Sequence, residues 1–270
     1  MFDYTAQLER VIADIVARCD MLSHVDARRL VVFARRGRTG TSGPLASCHS
    51  VNLPPSEPGY YYWWDLDTGR WTRRSPWFVT RSPRVCRAGR PVAYLLSFSL
   101  PRFCDQRPSA SKIARYGTCE PWLAKLDTIV HELSHIDPSH RGLRLVADDR
   151  DRPGSRLHTR GFFARVAEAV HAYLASGPDP ELLDFLRHDF TALRARFGGV
   201  VATTFRSYPS FPQAYRDPLR PQPKGPSLAV VPLTTPRRVR FTEMDLVQRE
   251  FLPDRTRRIG SGRPSRTRAA

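Results

Sequence analysis

The chain has 270 residues, 41% of them hydrophobic, and a formal net charge of +17. This length suits one large domain or two small ones, and the apolar fraction suffices for a buried core. No apolar run approaches the roughly 20 residues that span a bilayer, and the N-terminus lacks the pattern of a signal peptide. The five cysteines are odd in number and form no C-x-x-C pair, which argues against a zinc ribbon and a secreted disulfide framework. We therefore expect a cytoplasmic protein without a membrane segment.

The first half of the chain predicts one helix followed by strands. Residues 1–20 have apolar positions at helical spacing, and 28–36 have the composition of a buried strand. Residues 59–78 are rich in aromatics, and two strand-like runs flank the sequence DLDTG, so we expect a hairpin with Gly69 at a positive φ. This hairpin lies in a segment, 52–89, that we interpret as an insert. Residues 90–103 contain a further apolar strand, interrupted by Pro101.

The second half predicts helices around a charged loop. Pro121 suits the first turn of a helix, an apolar stripe follows, and Pro138 should end the helix at Asp137. A charged loop over 137–157 precedes a second helix from about Thr159 to Ala175. The apolar, strand-like residues 198–215 then close the domain. The predicted fold is α+β, with a zincin-like active-site helix packed on a short mixed sheet and further helices, over residues 1–215.

Beyond Tyr215 the composition shifts to Pro, Arg, Ser and Thr. Residues 216–270 carry 13 basic and 5 acidic side chains, nearly half of the net charge on a fifth of the chain. This composition predicts a disordered basic tail, which could bind nucleic acid through its charge or serve solubility alone. Within it, the apolar residues of 241–252 recur at helical spacing and predict a short helix, either a docking segment or a transient one.

The segment 125–140, KLDTIVHELSHIDPSH, contains His131, Glu132 and His135 in the order H-E-x-x-H. Residues four apart on a helix lie above one another, so both histidines can face one metal ion. Glu132 would then act as general base toward a metal-activated water. Asp127, one turn before His131, either orients an imidazole or is a solvated charge. If the motif has no function, these histidines are simply polar surface residues.

A catalytic zinc site needs a third protein ligand. The metzincin pattern requires a histidine at position 141 and a glycine at 138, and Arg141 and Pro138 exclude that class. We favour His158, which begins the second helix and has Phe162 one turn later on the same face. His140, just beyond the first helix, and Glu168, on the second helix, stay open as alternatives.

The segments LDTIVHELSHI and HTRGFF, joined by a charged loop, resemble the SprT-like and phage metallopeptidase group of minimal HExxH zincins. The resemblance covers about residues 5–200, and only the two histidine motifs are specific. It implies that His131, His135 and His158 bind Zn²⁺ and that Glu132 is the general base. By analogy with SprT-like proteases that act on proteins crosslinked to DNA, it also suggests action near nucleic acid. This chain lacks the C-terminal cysteine ribbon that SprT proteins often carry.

The sequence therefore predicts a zinc metallopeptidase acting on a protein or peptide substrate. Hydrolysis of a non-peptide amide is a further hypothesis. The alternative is a nucleic-acid- or protein-binding module whose metal site is structural or vestigial. For the group that stabilises the oxyanion we consider four candidates: Tyr116, His140, Arg141 and Tyr208. The sequence predicts no oligomeric state.

Overall fold

The computed structural model describes residues 1–38, 43–51, 61–65, 67–74, 86–140, 142–144, 146, 158–206, 228–232 and 243–258. The helices are α1 (Tyr4–Arg18), α2 (Ala110–Tyr116), α3 (Pro121–Ser134), α4 (Arg160–Ala175), α5 (Pro180–Leu183) and α6 (Phe190–Phe197). The strands are β1 (Phe2–Asp3), β2 (Leu30–Gly37), β3 (Ala46–Ser50), β4 (Tyr61–Asp65), β5 (Arg70–Arg74), β6 (Cys86–Arg87), β7 (Arg90–Pro91), β8 (Tyr94–Pro101), β9 (Val200–Phe205), β10 (Leu228–Pro232), β11 (Leu246–Phe251) and β12 (Thr256–Arg258). The fold is α+β with small mixed sheets, as the sequence predicts in coarse terms.

The sheet that supports the site has the order β2-β8-β3. Strand β8 runs parallel to β2 and antiparallel to β3, and all eight of its residues are buried. Alternate residues point to opposite faces of a sheet. On β2 and β8, one set, including Val32, Leu96 and Phe98, joins the main core with the helices. The other set, including Phe33 and Leu95, packs in a smaller cluster with Phe205 of β9.

Helix α3 crosses beside the edge strand β3 and is buried along most of its length. Pro121 occupies its first turn, and the side chains of Leu126, Ile129 and Leu133 are fully buried. The helix ends at Ser134, with His135 as its C-cap, three residues earlier than the predicted end at Asp137. Directly after this end, Ile136 pairs with Leu143 in an isolated β-bridge and is therefore no longer part of the helix.

The predicted hairpin is present within the insert. Strands β4 and β5 pair antiparallel, and Gly69 between them has a φ of +63°. A third strand, β10, pairs with β4 from the other side. The tail segment 228–232 therefore adds to the hairpin of the insert. Within 52–89 the structure describes residues 61–65, 67–74 and 86–89, and the other residues of this segment lie outside the described ranges.

The prediction of a helix over 241–252 is wrong. A single 3-10 turn at Glu243–Asp245 leads into β11, which pairs antiparallel with β9 along its whole length. Phe251 is 1% exposed and belongs to the main core. Helical spacing of apolar residues is a weak local signal, and the open side of β9 outweighs it by supplying hydrogen bonds and apolar contact. The domain therefore does not close at residue 215, and the tail is ordered over 243–258.

The helices of the described ranges include none that is both long enough and apolar enough to cross a membrane.

Candidate metal centre

Two histidines project from the last turn of α3 toward the same point. The Nε2 atoms of His131 and His135 lie 3.1 Å apart. This closeness follows from their four-residue spacing, which stacks side chains on one face of a helix. Because the rest of that helix is fixed by its buried apolar face, the two rings are held by the core and not by a loop.

His158 completes the group. It comes two residues before α4, where Thr159 caps the helix by accepting a hydrogen bond from the Phe162 amide. The His158 Nε2 atom lies 3.1 Å from that of His131 and 3.0 Å from that of His135. Tetrahedral zinc with Zn–N bonds of about 2.0–2.1 Å places its nitrogens about 3.3–3.4 Å apart. The three nitrogens thus form a group that fits one metal ion within a small adjustment.

The other candidates for the third ligand are not in this group. Among the residues that the structure describes, the clustered metal-ligating side chains are His131, His135 and His158. Glu168 is exposed on α4. His140 has a left-handed backbone with a φ of +56°, and its ring lies near Tyr94, with 6.4 Å between the ring centroids.

Two phenylalanines at the start of α4 hold the imidazoles in place. Phe162 is 2% exposed and stacks on His135, with the ring centroids 4.9 Å apart. Phe163 stacks on His158 at 5.6 Å. The sequence predicted Phe162 as the support for His158, and these two rings do meet edge to face at 5.3 Å. Stacked rings restrict the rotation of an imidazole without taking up its nitrogens, which remain available for a metal.

The imidazoles are held in their neutral form. Burial, followed by the positive charge of its neighbours His158, Lys112 and Arg115, lowers the pKa of His131 to about 3. Burial and the two neighbouring histidines lower the pKa of His135 to about 2. Burial also lowers the pKa of His158. Neutral imidazole is the form that binds a metal ion, so the electrostatics of the site agree with its geometry.

Glu132 lies beside the histidines and is 7% exposed. Burial raises the pKa of its carboxyl to about 7, while a hydrogen bond from the backbone amide of Cys48 favours the charged form. That amide belongs to β3, so the edge strand fixes the carboxylate against α3. A carboxyl whose pKa lies near neutrality can both accept and release a proton at physiological pH.

The three clustered histidines and Glu132 line part of a cavity of about 460 Å³. It lies between the edge of β3, helix α2, helix α3 and the start of α4. Its walls are formed by Pro44, Leu45, Ala46, Ser47, Cys48, Ser109, Ser111, Lys112, Arg115, Asp127, Thr128, His131, Glu132, His135, Leu143, His158 and Phe163. This volume falls within the range of small-molecule and peptide side-chain pockets.

Asp127 does not orient a histidine. Its two carboxylate oxygens receive Lys112 at 2.5 Å, Arg115 at 2.9 Å and the Tyr116 hydroxyl at 2.7 Å, and its side chain is 3% exposed. All three partners belong to α2. Asp127 therefore fastens α2 to α3 and places two cations in the cavity wall.

The structure also bears on the candidates for oxyanion stabilisation. The Tyr116 hydroxyl is committed to Asp127, and His140 is not among the residues that line the cavity. Arg141 and Tyr208 lie outside the described residues.

Sequence reasoning missed Lys112, Arg115 and the Cys48 amide. For α2 a local signal existed, because Ser109 caps its start and Gly117 ends it in a left-handed conformation. For Cys48 there was none, since a backbone amide carries no side-chain signature.

Comparisons of the chain with family models, with curated proteins and with solved structures find no match.

Proposed function

We propose that this protein is a zinc-dependent metallopeptidase related to the minimal HExxH zincins of the SprT-like and phage metallopeptidase group. The observation that carries the proposal is the meeting of three neutral imidazole Nε2 atoms, from His131, His135 and His158, beside the buried carboxyl of Glu132 in one cavity. The resemblance of the two histidine motifs to that group agrees with this geometry.

The donor set favours zinc. Imidazole nitrogens suit a borderline metal, and the three Nε2 separations of 3.0–3.1 Å are close to a tetrahedral arrangement. Three protein ligands leave one position open, which distinguishes a catalytic site from a closed structural one. When bound, zinc supplies a Lewis acid that acidifies water and polarises a carbonyl group.

Glu132 is the general base of the proposal. Its position next to His131 on α3 points the carboxyl into the cavity, and the Cys48 amide keeps it in one orientation. The carboxylate would take a proton from the attacking water and pass it to the leaving amine. Burial raises the pKa of this carboxyl, which favours proton uptake.

The edge of β3 favours a peptide over another amide. The Ser99 amide bonds to Leu45 and the Val51 amide to Ala93, so odd-numbered residues of this segment pair with β8. In an antiparallel pair the alternate residues turn their backbone groups outward. Those of Ala46 and the carbonyl of Cys48 therefore face the cavity side, while the Cys48 amide bonds to Glu132. An extended peptide that pairs with this edge would lie across the site.

Replacement of Glu132 by Gln tests the proposal. We expect the zinc-loaded wild type to cleave members of a mixed peptide library, and Glu132→Gln to keep its zinc and lose about 10²-fold or more in kcat/KM. Mass spectrometry of the library gives the cleavage, and metal analysis gives the zinc content. Full activity of Glu132→Gln would remove the general base. Failure of the zinc-loaded wild type to cleave any peptide would leave a binding module as the better account.

A further inference from the structure

We propose that Arg115 binds a carboxylate group of the substrate, so that the site selects peptides with an acidic side chain or a free C-terminus next to the cleaved bond. The inference rests on the proposed function, because it concerns the substrate of the same cavity. It is carried by the position and the hydrogen bonds of two cations, Lys112 and Arg115, in the cavity wall.

Arg115 lies close to the cluster of His131, His135 and His158. Its guanidinium carbon is 5.3 Å from the centroid of Phe163, the ring that stacks on His158. Its side chain is 20% exposed. A substrate group bound by Arg115 would therefore be separated from the histidines by about the width of the Phe163 ring.

Lys112 and Arg115 differ in how many of their hydrogen-bond donors already have an acceptor. The three N–H groups of the Lys112 ammonium meet three acceptors: Asp127 at 2.5 Å, the Ala124 carbonyl at 2.7 Å and Thr128 at 2.8 Å. Lys112 can therefore add charge but no further hydrogen bond.

The Arg115 guanidinium has five donors. Asp127 and Tyr116 are the hydrogen-bond partners that the described part of the chain gives it. Its remaining donors have no hydrogen-bond partner among the described residues, and Arg115 lines the cavity. A guanidinium can bind a carboxylate through a pair of such donors.

The charge balance favours an anion at this end of the cavity. Lys112 and Arg115 together carry two positive charges, and Asp127 neutralises one of them. The other acidic side chain in the wall, Glu132, adds a second negative charge when it is ionised, and the proposed zinc ion would add two positive charges. The zinc-loaded cavity would therefore keep a positive charge that favours a substrate carboxylate, in a partly buried setting where such a contact is strong.

The test uses the full-length, zinc-loaded protein with Glu132→Gln, so that peptides bind without being cleaved. Three labelled peptides of equal length are compared by fluorescence anisotropy. One has an internal Glu and an amidated end, one has Gln in its place and an amidated end, and one has Gln and a free C-terminus. We expect at least one carboxylate peptide to bind about tenfold more tightly than the neutral one. The peptide that shows the gain identifies the source of the carboxylate.

Second substitutions assign the effect. Adding Arg115→Gln should bring the affinity ratio close to one, and Arg115→Lys, which keeps the charge beside Asp127, should leave about a threefold preference. Arg10→Gln removes the same charge from an exposed position on α1 and should keep the full ratio. Equal binding of all three peptides, or a full ratio in both Arg115 variants, would overturn the proposal.

Cleavage assays on the wild type separate this inference from the proposed function. Cleavage of all three peptides at equal kcat/KM would refute carboxylate selection and leave the peptidase standing. A carboxylate preference in binding without cleavage of any peptide would refute the peptidase and leave the role of Arg115 standing.

Discussion

Burial favours the neutral form of histidines outside the cluster of His131, His135 and His158 as well. One example is His49 on β3, which is 4% exposed and whose Nε2 lies 3.4 Å from the Ser97 hydroxyl. Burial, followed by the positive charge of Arg35, lowers the pKa of His49 to about 4. Since an unfolded histidine titrates near 6.5, the unfolded state takes up this proton first as the pH falls. His49 therefore stabilises the fold above pH 6.5, and this stability is lost on the way to pH 4.

We expect His49→Asn to reduce the pH dependence of stability. Between pH 7.5 and pH 5, the wild type should lose about 2 kcal/mol more free energy of unfolding than the variant. Urea denaturation of both metal-free proteins at the two pH values measures this difference. The ligand histidines titrate in both proteins and cancel in the comparison. Equal losses in the two proteins would show that His49 is not buried as described.

At the level of single residues, the sequence predicted the cluster of His131, His135 and His158 better than its surroundings. The spacing of His131 and His135 is a local property of one helix, and the H-x-x-x-F pattern pointed to His158. Lys112 and Arg115 are held in the cavity wall by their ion pairs with Asp127, which belongs to a different helix. Such a contact depends on tertiary packing, so no local pattern could predict it.

Helix α2 has seven residues and is joined to α3 chiefly by polar contacts. Lys112, Arg115 and Tyr116 all bond to Asp127, and Gln106 bonds to Thr128 and the Ala124 carbonyl nearby. A helix this short is not stable alone. Its position, and hence one wall of the cavity, depends on this cluster.

Asp127→Asn should therefore destabilise the protein by about 3 kcal/mol, because two largely buried cations lose their counter-charge. Asp184→Asn is the matched control. Asp184 pairs with Arg196 at 2.6 Å but is 40% exposed, and exposed pairs contribute about 0.5 kcal/mol. Chemical denaturation of both variants compares them. A similar, small effect for both would mean that Asp127 does not fasten α2.

Strand β11 is the other element that the sequence did not predict, and two substitutions test it. Phe251→Ala should cost about 3–4 kcal/mol of unfolding free energy, because it removes a fully buried aromatic from the main core. Met244→Ala, at a position 77% exposed, should change stability by less than about 0.5 kcal/mol. Both residues lie on the same face of the helix that the spacing predicts. Comparable small losses in both variants would favour that helix over β11.

The elements that local sequence signals define were predicted, and those that depend on distant partners were not. Pro121 and an apolar stripe identify α3, Thr159 identifies the start of α4, and Gly69 identifies the hairpin turn. The strand β11 pairs with β9, and the paired residues are between 41 (Leu246 and Phe205) and 51 (Phe251 and Val200) positions apart in the chain. Pairing over such a separation leaves no periodic trace in either strand that distinguishes it from other apolar runs.

Across the whole molecule, the basic tail pairs twice with earlier parts of the chain. Strand β10 extends the hairpin of the insert, and β11 extends the sheet of β1 and β9. Deletion of 216–270 would remove part of the folded domain along with the charge. Binding of nucleic acid by the tail, which stays a proposal, is therefore better tested by replacing arginines than by truncation.

We propose that three histidines from two separate parts of the chain hold one zinc ion. The most direct test is the zinc content of the purified, zinc-loaded protein after gel filtration, measured by mass spectrometry. We predict one zinc per chain for the wild type and for His140→Ala, and less than about a tenth of that for His158→Ala, since loss of one of three ligands greatly weakens the site. A wild type without zinc, or a His158→Ala variant that retains it fully, would contradict the account.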